Sequence, residues 1–148
     1  MQDDRRSDRL RGSLANGVVR LFRLVNRVHN RKFRRTGVSA EQAHILTLLS
    51  LEGPLTIGRL QRLLALSSPT LTGAIDRLEA LELVRRVPSS EDRRAFVIEP
   101  RVTARKLAQL DAVIEEGDGA CFAPLTPTER KELLRLLEKC IAHLDGDT

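Results

Sequence analysis

The sequence predicts a mainly helical chain with one small β hairpin. Three observations lead there. Apolar residues recur at helical spacing over 10–28, 43–49, 60–64, 71–81, 107–114 and 133–144. The third and fourth of these runs are short and separated only by Ala65-Leu66-Ser67 and a Ser-Pro helix start. Directly after them, Leu83-Val84-Arg85-Arg86-Val87 and Ala95-Phe96-Val97-Ile98 read as strands around the polar segment 88–94. A helical pair followed at once by a hairpin is the order of a winged helix-turn-helix, flanked here by N- and C-terminal helices suited to dimerisation.

A length of 148 residues allows one domain with a sizeable core, or a small domain with dimerising extensions. The expected division is an N-terminal arm and dimerisation helix over 1–36, the winged unit over 37–100, and C-terminal dimerisation helices over 101–148. Tyr and Trp are absent and only four Phe occur. That argues against a base-stacking platform or an aromatic cage. The net charge of +5 suits an anionic partner. The excess is N-terminal: residues 1–35 hold eleven Arg or Lys against three Asp, whereas 56–100 reach only +1.

No apolar run approaches the ~20 residues of a membrane span. The arginines near Met1 have no apolar block behind them, so a secretory signal is not expected. Cys121 and Cys140 fit neither a disulfide framework nor a CxxC motif. These readings point to a cytoplasmic protein with no membrane partner.

The first helix shows an apolar face at Leu10, Leu14, Val18, Leu21, Phe22, Val25 and Val28, about five turns long. Its other face carries Arg20, Arg23, Arg27, Arg31 and Lys32, either as a solvated face or as phosphate contacts. Ser39 followed by Gln42 is a capping box for the second helix, which is apolar on nearly all sides and so expected in the centre. His44, among those residues, reads as a core or interface histidine. Glu52-Gly53-Pro54 stops that helix.

Thr56 can cap the third helix. In the fourth, Ser68 reads as the cap and Pro69 as the first helical residue. The helix from Thr103 is expected to fray or bend at Glu115-Glu116-Gly117-Asp118-Gly119, since each glycine costs about 1 kcal/mol inside a helix. Thr126-Pro127-Thr128-Glu129 starts the last helix with a cap, a Pro and a Glu three residues on. The apolar stripes of the first and last helices are wider than a small domain can cover, so burial against another molecule is expected.

If the fourth helix lies in a DNA major groove, its start offers Ser67, Ser68, Thr70, Leu71 and Thr72. Hydroxyls can bond base edges or phosphates, and helix-start amides can take a phosphate. Gly73 lets the backbone approach closely. No Asn, Gln or Arg stands in the first two turns, so specificity would rest on thymine methyls, the wing and DNA shape. Arg77 serves as a phosphate clamp or as an ion-pair partner of Asp76 and Glu79. Of Arg85 and Arg86, one should point outward, because side chains alternate along a strand. Asp92, Arg93 and Arg94 form the hairpin tip. An arginine there suits a narrow minor groove, and a neighbouring Asp can fix its direction. The plain alternative is a solvated charged tip.

The segment LSSPTLTGAIDRLEALELVRR, with SSEDRRAFVIEPRVTARKL after it, resembles the MarR family of transcription regulators, and the likeness runs from about residue 10 to 144. The family's Asp-x-Arg wing motif falls on Asp92 and Arg94. The resemblance implies a homodimer that binds pseudo-palindromic operators on double-stranded DNA, mostly as a repressor. It also implies release by a small, often phenolic, effector. On that reading Leu21, Val25, His44, Leu107 and Leu110 are candidate effector-pocket walls. The chain departs from the family in two places. Glu82 stands where a Gly usually precedes the strand-entering Leu, and Lys106 replaces the Gly of a Leu-Thr-x-x-Gly after the wing. The cysteine of redox-responsive relatives, near the start of the first helix, has no counterpart, and Cys121 and Cys140 read as buried fillers.

No catalytic residue, cofactor or metal ligand is expected. His29, His44 and His143 stand apart from one another and from any Glu or Cys at ligand spacing, and no P-loop, dinucleotide turn or GxSxG occurs. The competing class is a winged helix that binds protein in place of specific DNA.

Overall fold

The computed structural model describes residues 12–90 and 95–146. The order is α1 (Leu14–Phe33), α2 (Ala40–Glu52), β1 (Leu55–Thr56), α3 (Ile57–Leu64), α4 (Ser68–Ala80), β2 (Val84–Pro88), β3 (Phe96–Pro100), α5 (Ala104–Cys121) and α6 (Pro127–Gly146). This is a mainly helical winged helix-turn-helix with flanking helices. No helix among the described residues is long and apolar enough to cross a membrane.

Local chemistry sets the boundaries. Ser39 and Gln42 close a reciprocal capping box on α2, with Ser39 N–H donating to Gln42 Oε1 at 2.8 Å. Gly53, at φ 82°, ends that helix. Thr56 caps α3 by accepting from Arg59 N–H. At α6, Thr126 Oγ1 accepts from Glu129 N–H while the Glu129 carboxylate accepts from Thr126 N–H.

β1 was not foreseen. It adds a third strand, in the order β1-β3-β2, with Leu55 opposite Ile98 and Thr56 opposite Val97. Two residues wedged between Pro54 and a helix cap carry no periodicity of their own. β2 and β3 pair antiparallel from Val84 opposite Pro100 to Pro88 opposite Phe96, and Ser89 N–H donating to Ala95 O continues the hairpin.

The core is continuous. Ala43, Ile45, Leu46 and Leu49 of α2, Leu60 of α3, Leu71, Ala74, Ile75 and Leu78 of α4, and Ile98 of β3 are wholly buried. Phe33 of α1 and Leu110 and Val113 of α5 belong to the same cluster, so these two flanking helices share the winged unit's core, whereas α6 buries no residue in it. Hydrophobic burial therefore couples any shift of α1 or α5 to the helix-turn-helix.

Two helical expectations change. α5 runs unbroken through Gly117 and Gly119 to Cys121. Gly117 is buried, with the His29 imidazole packed over it, and ion pairs hold the acidic stretch to α1: Lys32 Nζ lies 2.8 Å from Glu116 and Arg35 also reaches Glu116. Packing and charge offset the helix-propensity cost. His44 is exposed and not a core residue, whereas His29 is buried.

Candidate nucleic-acid interface

α3 and α4 meet through a turn in which Ala65 takes the left-handed conformation, φ 51°. Ser67, not Ser68, caps α4: its Oγ accepts from Thr70 N–H and donates to Thr70 Oγ1 at 2.7 Å. Ser68 is thus the first helical residue and Pro69 the second. The shift by one arises because Pro is tolerated anywhere in the first turn, where no intrahelical donor is needed.

One face of α4 is sunk in the core and the opposite face is open. Ser67, Ser68, Thr70, Thr72 and Arg77 are exposed. Leu71 is fully buried among the core leucines, which removes it from the candidate contacts. Gly73 is half-buried on the open side, its Cβ position 3.9 Å from an Arg77 terminal nitrogen. Arg77 forms no ion pair with any described residue. Its guanidinium is free of the two acids that flank it.

Those acids are engaged elsewhere. Arg86 of β2 sends one guanidinium nitrogen to Asp76 at 2.5 Å and another to Glu79, whose carboxylate also accepts the Arg86 backbone N–H at 3.0 Å. That backbone bond, with the guanidinium behind it, holds Glu79 below the usual carboxylate range. Arg85 points the other way, as strand alternation requires, and pairs with Glu99 directly across the hairpin. Arg85 is exposed and Arg86 is largely covered, so the two arginines have different environments. Sequence alone does not separate them, because the partners lie on another element. Asp92, Arg93 and Arg94 lie outside the described residues.

The departure at Glu82 has a visible consequence: Glu82 sits at φ 58°, the left-handed conformation that a glycine adopts without strain. Lys106 acquires a contact that a glycine could not make. Its Nζ donates to Thr36 O at 2.5 Å, tying the start of α5 to the loop after α1.

Residues 38–96 match the family model described as MarR family. The chain carries a MarR-family winged helix-turn-helix. Solved structures, one of them described as a MarR family regulator, superpose on most of the chain. AbfR of Staphylococcus epidermidis is 28% identical and covers 95% of this chain and 97% of its own, with a TM-score of 0.71. The transcriptional regulator BldR of Sulfolobus solfataricus is 26% identical, covers 88% of this chain and 93% of its own, and has a TM-score of 0.79. A MarR family regulator of Silicibacter pomeroyi is 26% identical over 90% of this chain and 91% of its own, with a TM-score of 0.73. Among curated proteins no relative matches. MarR-type proteins are DNA-binding transcriptional regulators and not enzymes, and DNA and a second copy of the chain are partners at the level of the family.

The candidate effector walls differ in burial: Leu110 is wholly buried in the core, Val25 and Leu107 are half-buried, and Leu21 and His44 are exposed. A cleft of about 320 Å³ lies between α5 and α6, lined by Asp118, Phe122, Leu125, Arg130, Leu133, Leu134 and Leu137. Cys121 is half-buried and Cys140 exposed, which corrects the expectation that both are buried. Burial, then Asp118, pushes the Cys121 thiol up. Among the described residues no group of three or more His, Cys, Asp or Glu could hold a metal ion.

Proposed function

We propose that the chain is a homodimeric repressor that reads a pseudo-palindromic operator and leaves it when a small-molecule effector binds. The observation that carries this is the two-sided build of α4. Leu71, Ala74, Ile75 and Leu78 anchor it, while Ser68, Thr70, Thr72 and Arg77 stand together in solvent. Hydroxyls on the first turn and, one turn on, an arginine with no ion pair among the described residues suit base edges followed by a phosphate. In this reading Arg85, Arg93 and Arg94 with Asp92 serve the wing side, and residues 37–100 form the reader.

The body comes from 1–36 and 101–148. α1 and α6 leave large apolar side chains open, among them Phe22 at 62% and Ile141 at 55% exposure. The cleft between α5 and α6 continues that apolar surface, so we assign it to the second copy and not to the effector. Leu21, Val25, His44 and Leu107, near the junction of α1, α2 and α5, remain the proposed effector side.

Fluorescence titration of the protein on its upstream intergenic duplex, against a scrambled duplex and at two salt concentrations, tests the reading. Affinity is expected to fall steeply with salt, log K changing by about −0.9 per phosphate neutralised for each unit of log salt. Equal binding to both duplexes, or none to either, overturns it.

A further inference from the structure

The fork from Arg86 to the reading helix has a job that contact with DNA does not explain. Asp76 and Glu79 stand on the last two turns of α4, and Arg86 is the third residue of β2. Arg86 joins them by three bonds: one guanidinium nitrogen to Asp76, another to Glu79, and its backbone N–H to Glu79. A guanidinium suits this, being planar and able to address two carboxylates at once. The side chain is 26% exposed, and both of its forks are occupied. A guanidinium so engaged is poorly placed to add a phosphate contact.

The connection from α4 to β2 runs through Glu82, a non-glycine residue in the left-handed region, so the turn alone is not held by an easy backbone conformation. The hairpin otherwise rests on the helices through few buried side chains: Val84 on β2 and Ile98 on β3. Arg86 lies opposite Ile98 in the register, at the middle of the strand pair. The bonds it makes therefore act at the hairpin's centre.

We infer that Arg86 is a positioning residue, which fixes the angle between the reading helix and the wing through Glu79 and Asp76. The inference rests on the DNA-reading proposal above. A duplex engages both elements at once, in adjacent grooves, so an error in their angle weakens whichever contact is made second. Specific sequences, which require both, lose more than non-specific ones, which bind through diffuse charge.

Charge arithmetic makes the inference testable. Glu79→Gln and Asp76→Asn each remove a negative charge beside the DNA-facing surface. By electrostatics alone both changes tighten DNA binding. If the clamp positions the wing, both weaken specific binding instead. The probe is a duplex enriched by the wild-type protein from a random-sequence pool, with a scrambled duplex of the same length as control. Titrations are run well below the thermal midpoint of each variant.

The expected result is about tenfold weaker specific binding for Glu79→Gln, a contact-sized loss. Binding to the scrambled duplex is unchanged or tighter by up to about twofold, since it rests on diffuse charge and the protein has lost one negative charge. Arg86→Lys keeps the cation, cannot span both carboxylates, and is expected to show the same split. Unchanged or tighter specific binding by Glu79→Gln overturns the clamp, as does an equal loss on both duplexes. Should Glu79→Gln fail to fold, Asp76→Asn carries the same test, because Asp76 is exposed and makes a single bond to Arg86. Failure of the wild type to enrich any duplex instead overturns the DNA-reading proposal itself, which separates the two outcomes.

Discussion

The His29 imidazole lies directly on Gly117, so that a Cβ at 117 would stand 2.7 Å from Nε2 and 2.9 Å from Cδ2. His29 is 4% exposed and its Nε2 is 3.2 Å from Asp118 Oδ1. The ring is no flexible tip that can swing away. Gly117→Ala gains about 1 kcal/mol of helix propensity. It loses about 1–3 kcal/mol by overpacking a rigid contact. A net destabilisation of about 1 kcal/mol is expected by urea melting. The double variant with His29→Ala is expected to recover the helix gain, giving a coupling between the two sites. Additive effects of the two changes would show that the contact is soft.

Glu82 offers the opposite sign. A left-handed non-glycine residue is strained by roughly 1–2 kcal/mol. Glycine relieves that strain but gives back about 0.4–1 kcal/mol through the freedom of the unfolded chain. Glu82→Gly is therefore expected to stabilise by up to about 1 kcal/mol, read as a rise in the urea midpoint with an unchanged m-value. A lower midpoint would mean that the Glu82 side chain contributes more than its backbone costs.

These two sites show where sequence is informative and where it stops. The left-handed turn at Glu82 was not legible from the residue itself, since a Glu carries no such signal; only the resemblance, with its usual Gly there, marked the position. The capping boxes at Ser39 and Thr126 were legible, being local side-chain bonds. The stretch around Gly117 was misread as a place where the helix frays or bends, since the glycine packs against His29, eighty-eight positions away in the chain. Leu71 was misread as a surface contact, although its spacing with Ala74, Ile75 and Leu78 marks the buried face. The split between Arg85 and Arg86 needs the register of β2 on β3 and the reach of α4, neither of which a single sequence supplies. The walls of an effector pocket depend on the same long-range placement.

Loss of solvation holds the His44 imidazole below its ordinary value of 6.5, with His29 adding to the effect and Asp118 and Glu41 opposing it. The unfolded chain therefore takes up the proton first as pH falls. Stability from this site is complete above the unfolded value and declines as pH drops below it, until the folded imidazole is protonated too. His44 keeps an exposed edge, so the decline is modest. Urea midpoints measured from about pH 8 to about pH 5.5, above the range where most carboxylates titrate, read it out. His44→Gln is expected to flatten the curve over that interval. An equal slope in both proteins would assign the pH dependence elsewhere.

Arg94 is the proposed minor-groove residue, with Asp92 as its support. Arg94→Ala is expected to weaken binding to an enriched duplex by roughly 1–3 kcal/mol, the range of a specific contact. Asp92→Asn removes a negative charge yet is expected to weaken binding too, because the guanidinium loses its guide. Anisotropy titration at fixed salt measures both. Tighter binding by Asp92→Asn would leave Arg94 as a plain surface charge.

The dimer seam is the last test, and it bears on every other reading of DNA. Phe22 on α1 and Ile141 on α6 are open to solvent, as are Leu14, Val18, Leu134 and Leu144. Apolar stripes of this breadth are rare on a protein that stays alone. Because these side chains add nothing to the chain's own core, changing them spares the fold. Phe22→Glu and Ile141→Glu each force a carboxylate into the proposed seam, at a cost of several kcal/mol if no partner charge is present. At about micromolar concentration the wild type is expected to sediment as a dimer and both variants as folded monomers. Their affinity for a two-half-site duplex then falls far more than for a single half-site, since a monomer gains nothing from operator symmetry. A variant that remains dimeric would move the seam away from these faces, and the cleft between α5 and α6 would then be open to the effector.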